Sequence, residues 1–346
     1  MPKPTFQDIA DLAGVSTATV CRVIHGKETV ASGTRTKVLT AMRDLGVPRQ
    51  DTTLIGLIVP DSSNPYFSNL CFKFEQTLEN MNAHVLISSS EGRVDREVQL
   101  IRRFHDLGVK GVVYTSTGQG SEGILNLIAE GFPVLAFDRR IPAGNVDTVT
   151  VNSRHGTLSA VDYLIVRNHK KIGYLKGIEG TETARERFES FQMAMNQNRL
   201  ELVPEWIFDG DYTLSAGRAC AERLLSMPED SRPTAVLAAN DLMALGLMQR
   251  LQQAGWLLPQ QLSVIGFDNI PWGEWTYPSL TTIAQPICQL VREASSRLMR
   301  RIAEFEEDPD SRRQPESVEI KPKLIPRESV SEPWEKTSKP NLTLAD

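Results

Sequence analysis

The sequence predicts an α/β protein with a small head of three helices followed by two subdomains, each built on a parallel sheet. Three observations predict this fold class. Residues 5–45 place apolar side chains at helical spacing, with a glycine after the first helix. From Leu54 onward, short apolar strands alternate with amphipathic helices, which is typical of parallel sheets. The alternation occurs in two similar runs, so we expect two subdomains.

Composition and charge agree with a chain of two or three domains. The chain has 346 residues, 40% of them hydrophobic, and a formal net charge of -5. Residues 1–49 contain seven basic and four acidic residues, a net charge of +3, which leaves -8 for the remainder. A basic head on an acidic body would meet phosphates with one end only. A charge of +3 is common on small domains, so this observation carries little weight alone.

Several function classes receive no support from the sequence. No run approaches the ~18 apolar residues of a membrane span, and the N-terminus lacks the apolar region of a signal peptide. The four cysteines are scattered without metal-ligand spacing, which predicts reduced thiols in a cytoplasmic protein and neither a metal nor a cofactor. The five histidines lie apart and no GxSxG or HExxH motif occurs, so an enzyme is a minor alternative.

Three short helices are predicted in the head. Thr5 caps the first helix and Asp8 follows three residues later, a near capping box, while Gly14 permits a tight turn and Ser16 caps the second helix. The third helix spans about residues 34–45. The apolar residues expected to face inward are Ile9, Leu12, Ala13, Val20, Val23, Ile24, Val38, Leu39, Met42 and Leu45. Such an arrangement is a helix-turn-helix domain.

The second helix of a helix-turn-helix normally enters the major groove of DNA by its N-terminal residues. Arg22 is the one group there that can make a bidentate contact to a guanine edge. The predicted DNA-binding residues are Thr5, Ser16, Thr17, Ala18, Thr19, Cys21, Arg22 and His25. The alternative for this head is a three-helix bundle that binds protein.

The body is predicted to contain seven strands and eight helices. The strands are expected at residues 54–59, 85–88, 111–114, 134–137, 172–175, 235–238 and 262–266. The helices are expected at residues 67–81, 95–107, 122–130, 156–167, 185–196, 216–225 and 242–254, with a long helix after Pro286 that returns the chain to the first subdomain.

Ligands of open parallel sheets bind beyond the carboxyl ends of the strands. At such positions the sequence has Asn64-Pro65-Tyr66-Phe67, Asp138-Arg139, Asn240-Asp241 and Asp268. Carboxylates and amides bridge neighbouring hydroxyls and aromatic rings cover C–H faces, so this mixture predicts a sugar site. Singly, such residues are more often caps and turn formers. No glycine-rich phosphate-binding motif is present.

The head contains the motifs Asp8-Ile9-Ala10, Ala13-Gly14-Val15-Ser16, Thr19-Val20, Arg22-Val23-Ile24 and Gly26. This run resembles the head of the lactose/galactose repressor family of bacterial regulators, and the resemblance continues through the body to about Val330. The resemblance implies a periplasmic-binding-protein-like body that binds a small sugar or polyol, a pentose or a hexose. It also implies a homodimer that binds double-stranded operator DNA as a transcriptional repressor.

The resemblance completes the predicted effector site. The family sandwiches the sugar between the two rings of an Asn-Pro-aromatic-aromatic motif, and its second Ala-Arg-x-Arg arginine faces the ligand. It also places an aromatic residue, here Tyr212, and a glutamine, here Gln285, at the site. The predicted effector-binding residues are Asn64, Tyr66, Phe67, Asp138, Arg139, Arg187, Tyr212, Asn240, Asp268 and Gln285.

The join between head and body departs from the family pattern. The domains are predicted as a head at 1–46, a linker at 47–53, an effector and dimerisation domain at 54–330 and a disordered tail at 331–346. The family has a hinge helix whose leucine wedges into the minor groove, whereas this linker has neither an Ala-Arg pair nor a leucine wedge. About nine residues are missing relative to that pattern. A cytoplasmic sugar sensor with an uncoupled head is therefore the alternative function.

Overall fold

A computed structural model of the chain describes residues 4–24, 30–45, 53–117, 122–141, 144–308 and 314–333. Within these ranges the chain forms a helical head and two sheet subdomains, as predicted. The predicted site residue His25 and all of the linker except Thr53 lie outside the described residues, as does the chain after residue 333.

The head consists of three helices, α1 (Phe6–Ala13), α2 (Thr17–Ile24) and α3 (Ser32–Asp44). Thr5 and Asp8 form a complete capping box, since each side chain accepts a hydrogen bond from the other residue's backbone N–H. Gly14 ends α1 with φ +64°, a left-handed conformation that glycine adopts without strain. The prediction that Leu12 faces inward is wrong: its side chain is 54% exposed, and Ala10 occupies the inner face instead.

The first subdomain is built on a six-stranded sheet that is parallel throughout, in the order β11-β5-β4-β3-β1-β2. Its elements in chain order are β1 (Thr53–Val59), α4 (Pro65–Glu79), β2 (Ala83–Ser89), α5 (Val94–Asp106), β3 (Gly111–Tyr114), α6 (Glu122–Ala129), β4 (Val134–Phe137) and β5 (Asp147–Val151). The predicted elements agree with these to within about two residues.

The second subdomain carries the sheet β12-β10-β9-β8-β6-β7, in which only β12 runs antiparallel. Its elements are α7 (Ser153–Val166), β6 (Ile172–Leu175), α8 (Glu182–Gln197), β7 (Ile207–Phe208), α9 (Leu214–Ser226), β8 (Ala235–Ala238), α10 (Asp241–Gln253), β9 (Ser263–Asp268), α11 (Trp272–Trp275) and β10 (Thr281–Ala284). The remaining elements, α12 (Ile287–Glu307), β11 (Ser317–Ile320) and β12 (Lys323–Ile325), follow β10.

The chain passes between the two subdomains three times. It leaves the first sheet after β5, returns with α12, which packs on α4, β3, β4 and β5, and leaves again between β11 and β12. The predicted return of the chain after Pro286 is thus confirmed.

The sequence pattern missed β5, β7, β10, β11 and β12, because these strands are short and several carry buried polar residues such as Thr148 and Thr282 instead of an apolar run.

The end of the described chain is attached to the second subdomain. The backbone N–H of Ser331 donates to the Ser263 hydroxyl at 3.1 Å, and the Ser331 carbonyl lies 2.8 Å from Nε2 of the buried His169. His169 reaches the Thr234 hydroxyl with its other ring nitrogen. Residues 331–333 therefore lie against the body.

Candidate DNA-binding helix and effector cavity

The outer face of α2 presents the residues predicted to read DNA. Thr17, Ala18, Cys21 and Arg22 are exposed, while Val20 and Val23 on the opposite face are buried against α1 and α3. The head core thus fixes which face of the helix is free to enter a groove.

Two hydroxyl residues hold the turn before α2. The Ser16 hydroxyl accepts from the backbone N–H of Thr19 at 3.1 Å and lies 2.9 Å from the Thr19 hydroxyl. Thr5 caps α1 in the same way. These helix N-termini carry unsatisfied N–H groups that suit phosphate contacts.

A cavity of about 310 Å³ lies between the carboxyl ends of the strands of both sheets. All ten predicted effector residues line it, and they are Asn64, Tyr66, Phe67, Asp138, Arg139, Arg187, Tyr212, Asn240, Asp268 and Gln285. The first five come from the first subdomain, the others from the second. The strand-end rule selected seven of these residues, whereas Arg187, Tyr212 and Gln285 were predicted from the family resemblance.

The first subdomain contributes two aromatic rings through the start of α4. The Asn64 side chain caps this helix by accepting from the backbone N–H of Tyr66 at 3.0 Å. This cap places Tyr66 and Phe67 at the cavity, with ring centroids 5.0 Å apart in an edge-to-face arrangement.

The Tyr66 hydroxyl connects carboxylate and amide groups of both subdomains. It lies 3.2 Å from Oδ1 of Asp138 and 3.0 Å from Oε1 of Gln285, and Nε2 of Gln285 donates to Oδ1 of Asp268 at 2.7 Å. One hydroxyl proton cannot fully satisfy two acceptors, so the cavity retains acceptor capacity for hydroxyl groups of a ligand. Burial, together with Asp138, raises the pKa of Tyr66 well above its usual value, which keeps the phenol a donor.

Two buried arginines line the cavity, and each has an N–H donor that forms no hydrogen bond among the described residues. Nη1 of Arg139 donates to the Ser116 carbonyl at 2.9 Å, and Nη1 of Arg187 donates to the Ala239 carbonyl at 2.6 Å. The Arg187 guanidinium also lies 3.6 Å from the centroid of the Phe267 ring. Nε of each arginine is buried without a hydrogen-bond partner among the described residues. Unpaired buried donors are uncommon in folded proteins and are expected where a ligand binds.

The charges of Arg187 and Asp268 depend on each other. Burial raises the pKa of Asp268 well above its usual value, and the neighbouring Arg187 opposes this shift. Burial opposes the charge of Arg187 too, but Tyr212, Asp268 and Asp138 outweigh it, and its pKa is raised. The guanidinium is therefore always charged, whereas Asp268 takes up a proton more easily than an exposed aspartate.

Three cavity residues have left-handed backbone conformations. The φ angles are 63° at Asp138, 67° at Tyr212 and 124° at Asp268. Residues other than glycine rarely adopt positive φ angles, and such backbone strain is concentrated at ligand-binding sites. The strand ends thus bend to aim polar groups inward.

Asn240 and Thr183 fix the second aromatic wall. Nδ2 of Asn240 donates to the Tyr212 carbonyl at 3.0 Å, and the Thr183 hydroxyl lies 3.3 Å from the Tyr212 hydroxyl. The Asn240 oxygen also caps α10 by accepting from the N–H of Met243. The Asn240 amide therefore both caps α10 and holds the backbone of Tyr212 at the cavity.

Eight further residues line the cavity and were not predicted from the sequence, namely Pro60, Asp61, Glu91, Gly92, Ile178, Thr183, Asp211 and Thr213. Most of them follow a strand and were accessible to the same rule. Asp61 follows β1 and Glu91 follows β2, but Asp211 follows the two-residue strand β7, which the sequence pattern did not reveal.

The described part of the chain has neither a metal-binding cluster nor a membrane-spanning helix. Its histidine, cysteine, aspartate and glutamate residues form no group of three or more that could hold a metal ion. Among the same residues, no helix has the length and apolar character needed to cross a membrane.

Two family models match the chain. Residues 5–47 match bacterial regulatory proteins of the lacI family, and residues 161–330 match a periplasmic binding protein-like domain. The HTH-type transcriptional repressor PurR of Photobacterium profundum is 32% identical over 339 residues, which cover 95% of this chain and 99% of that protein.

Solved structures of transcriptional regulators have a similar fold. The regulator CelR in complex with cellobiose superposes with a TM-score of 0.72 at 26% identity, covering 94% of this chain and 100% of that one. A LacI family regulator from Enterococcus faecium with bound ribose gives a TM-score of 0.69 at 28% identity, covering 81% of this chain and 99% of that one.

Proposed function

Since the chain belongs to the LacI family of bacterial regulatory proteins and is a DNA-binding transcriptional repressor with a small-molecule effector, we propose that its effector is a small neutral sugar. The sugar, a pentose or a hexose, binds in the cavity between the two subdomains and controls operator binding. The observation that carries this proposal is the cavity lining itself, in which two buried arginines, Arg139 and Arg187, lie among carboxylates, amides and aromatic rings.

The cavity chemistry favours a polyhydroxylated ligand. Each sugar hydroxyl both donates and accepts, so vicinal hydroxyls can satisfy a guanidinium and a carboxylate together. The rings of Tyr66 and Phe67 suit the C–H face of a sugar. Two structural relatives hold sugars, ribose in one and cellobiose in the other.

The charge balance of the lining argues against a phosphorylated effector. The cavity has five carboxylates and two arginines, and the carboxylates are Asp61, Glu91, Asp138, Asp211 and Asp268. A phosphate would add negative charge to a site that already has an excess, at a cost that burial increases. A neutral ligand avoids this cost.

We place the DNA contacts of the repressor on α2, with Arg22 as the base-reading side chain and Ser16 and Thr19 near phosphates. A homodimer is expected because one head reads only one half-site.

Operator DNA lies in the bacterial cytoplasm, which we propose as the location of this protein. The relatives are repressors and not enzymes, and we propose no catalytic role for the cavity.

The alternative of a sugar sensor with an uncoupled head is not favoured. The similarity to a repressor runs through the head and the body together. The linker lacks the family's hinge pattern, so coupling between sugar and DNA must run through residues 47–53 in another conformation.

Fluorescence anisotropy with a pseudopalindromic operator from the protein's own gene neighbourhood tests the proposal. The titration is repeated with D-ribose, D-xylulose, D-glucose, cellobiose and a purine base. We expect one sugar to change operator affinity severalfold. A response to the base alone would refute the sugar assignment, and sugar binding in calorimetry without any change in operator affinity would support the uncoupled sensor.

A further inference from the structure

A buried glutamate outside the cavity is connected to it through hydrogen bonds. Glu97 lies on α5 and is fully buried, on the same helix face as Ile101 and Phe104. Its carboxylate accepts from the Tyr114 hydroxyl at 2.6 Å and from the backbone N–H of Thr117 at 3.2 Å. Among the described residues, Arg139 is the cation whose charge acts on Glu97, and the two form no salt bridge, a costly arrangement for a carboxylate in an apolar interior.

The bonds to Glu97 enclose Ser116 from both sides. Tyr114 and Thr117 lie two residues before and one residue after the cavity-linked Ser116, and the Thr117 hydroxyl adds a longer bond of 3.4 Å. The Ser116 side chain in turn hydrogen-bonds the Tyr114 hydroxyl. The backbone of residues 114–117 is thus held to α5 through one carboxylate.

Ser116 is the residue that orients Arg139. The Ser116 carbonyl accepts from Nη1 of Arg139 at 2.9 Å, while the nearest carboxylate, Asp138, is 3.8 Å from Nε and makes no hydrogen bond with it. The guanidinium of a cavity arginine therefore takes its position from a carbonyl that Glu97 holds in place.

We infer that Glu97 is a positioning residue of the effector site, which acts through Tyr114, Ser116 and Thr117 to aim the Arg139 guanidinium at the sugar. The inference rests on the proposed function of the cavity. Protonation of Glu97 turns an acceptor oxygen into a donor, so the Tyr114 or Thr117 hydroxyl that donates to it must rotate to accept and the contact between α5 and residues 114–117 changes. Ser116 and Arg139 would move with them.

The state of Glu97 changes near neutral pH. Burial raises the pKa of Glu97 to about 7, although Tyr114, Thr117 and the charge of Arg139 stabilise the anion. Tyr114 from β3 and Arg139 from the loop after β4 are the titratable or charged groups that face it among the described residues. Because its pKa is above the usual value of 4.5, Glu97 adds stability below that value and loses the contribution as pH rises to about 7. The anion is therefore retained at a cost to stability.

The ligand-free protein provides a test that needs no sugar. The ¹⁵Nε signal of Arg139 and the ¹³C carboxyl signal of Glu97 are followed by NMR from pH 5 to pH 9. We expect both to titrate with one midpoint, and the pH dependence of the Arg139 signal to vanish in Glu97→Gln. An Arg139 signal that stays constant while Glu97 titrates would overturn the inference.

Sugar binding completes the test with D-ribose, D-xylulose and cellobiose as probes. In Glu97→Gln the affinity should fall about tenfold at pH 8, as expected for a lost charge-assisted hydrogen bond, with unfolding temperature unchanged or higher. Glu75→Gln, an exposed exchange on α4, should bind like the parent. If Glu97→Gln does not fold, Tyr114→Phe removes one donor and should move the midpoint to higher pH. Wild-type protein that binds none of the probes would contradict the proposed function and leave the NMR result standing.

Discussion

Arg140 joins the two subdomains through Glu182. Nη1 of Arg140, in the loop after β4, donates to Oε1 of Glu182 on α8 at 2.8 Å, and the backbone N–H of Arg140 donates to Oε2 of the same carboxylate at 2.6 Å. Glu186 and Glu319 accept from the same guanidinium at 3.1 and 2.6 Å. One cation thus holds three carboxylates directly beside the cavity residue Arg139.

Replacing Arg140 should loosen this connection. Arg140→Gln leaves three neighbouring carboxylates without their cation, so the cleft should open and sugar affinity should fall roughly fivefold, a small effect because the group is partly exposed. Calorimetry gives the affinity and small-angle scattering the opening. Arg185→Gln on the exposed face of α8 is the matched control. An unchanged affinity and scattering radius would show that Arg140 does not hold the two subdomains together.

Asp268→Asn should weaken sugar binding more strongly. Asn keeps the size of the side chain but replaces an acceptor oxygen by a donor beside Gln285 and leaves Arg187 with less compensation. The loss of a charge-assisted hydrogen bond predicts an affinity about 10- to 100-fold lower in calorimetry. Asp162→Asn, an exposed exchange on α7, should have no effect. Parent-like binding by Asp268→Asn would remove Asp268 from the effector site.

Gly246 is predicted to be essential for the packing of α9 against α10. A Cβ atom at Gly246 would collide with the Leu214 carbonyl, and one at Gly217 would collide with the Met243 carbonyl. Gly246→Ala should therefore lower the free energy of unfolding by about 1–3 kcal/mol in urea denaturation. Gly33→Ala in α3 is the control, because a Cβ atom at this position would contact no other atom. This replacement should stabilise the head by roughly 0.5–1 kcal/mol, since alanine has a higher helix propensity than glycine. Equal effects of the two exchanges would contradict this packing.

The cavity was predictable from sequence because strand ends in parallel sheets converge. Asp138 and Asp268 were placed by this rule, whereas Arg187 and Gln285 needed the family resemblance, since neither directly follows a strand that the pattern revealed. Glu97 escaped because a charged residue on a helix is expected at the surface. Its spacing of four and seven residues from Ile101 and Phe104 was the available signal. Arg140 escaped because the partners of a surface arginine depend on tertiary contacts.

Arg22 should determine operator specificity. Arg22→Ala removes a bidentate contact to a guanine and should cost about 1–3 kcal/mol of operator binding, with relaxed discrimination at one base pair. Arg22→Lys keeps the positive charge but cannot make the bidentate contact of a guanidinium. It should therefore lose nearly as much base specificity as Arg22→Ala, while its non-specific affinity for DNA should fall less. Anisotropy with operators substituted at each position measures both. Arg43→Ala, an exposed exchange on α3, serves as the control. Uniform weakening across all operators by Arg22→Ala would reassign it to phosphate contact.

The short linker should make operator binding dependent on phosphate contacts. Residues 47–53 contain no leucine that could wedge into the minor groove, so the energy and bending that such a wedge supplies should be missing. Affinity should then decline steeply with salt, and exchange of the operator's central base step should change it by less than about threefold. The measurement is anisotropy between about 50 and 200 mM salt, on operators that differ only at the centre. The variant Thr52→Leu tests whether a wedge can be restored. Strong dependence of the parent protein on the central step would mean that these seven residues reach the minor groove by another route.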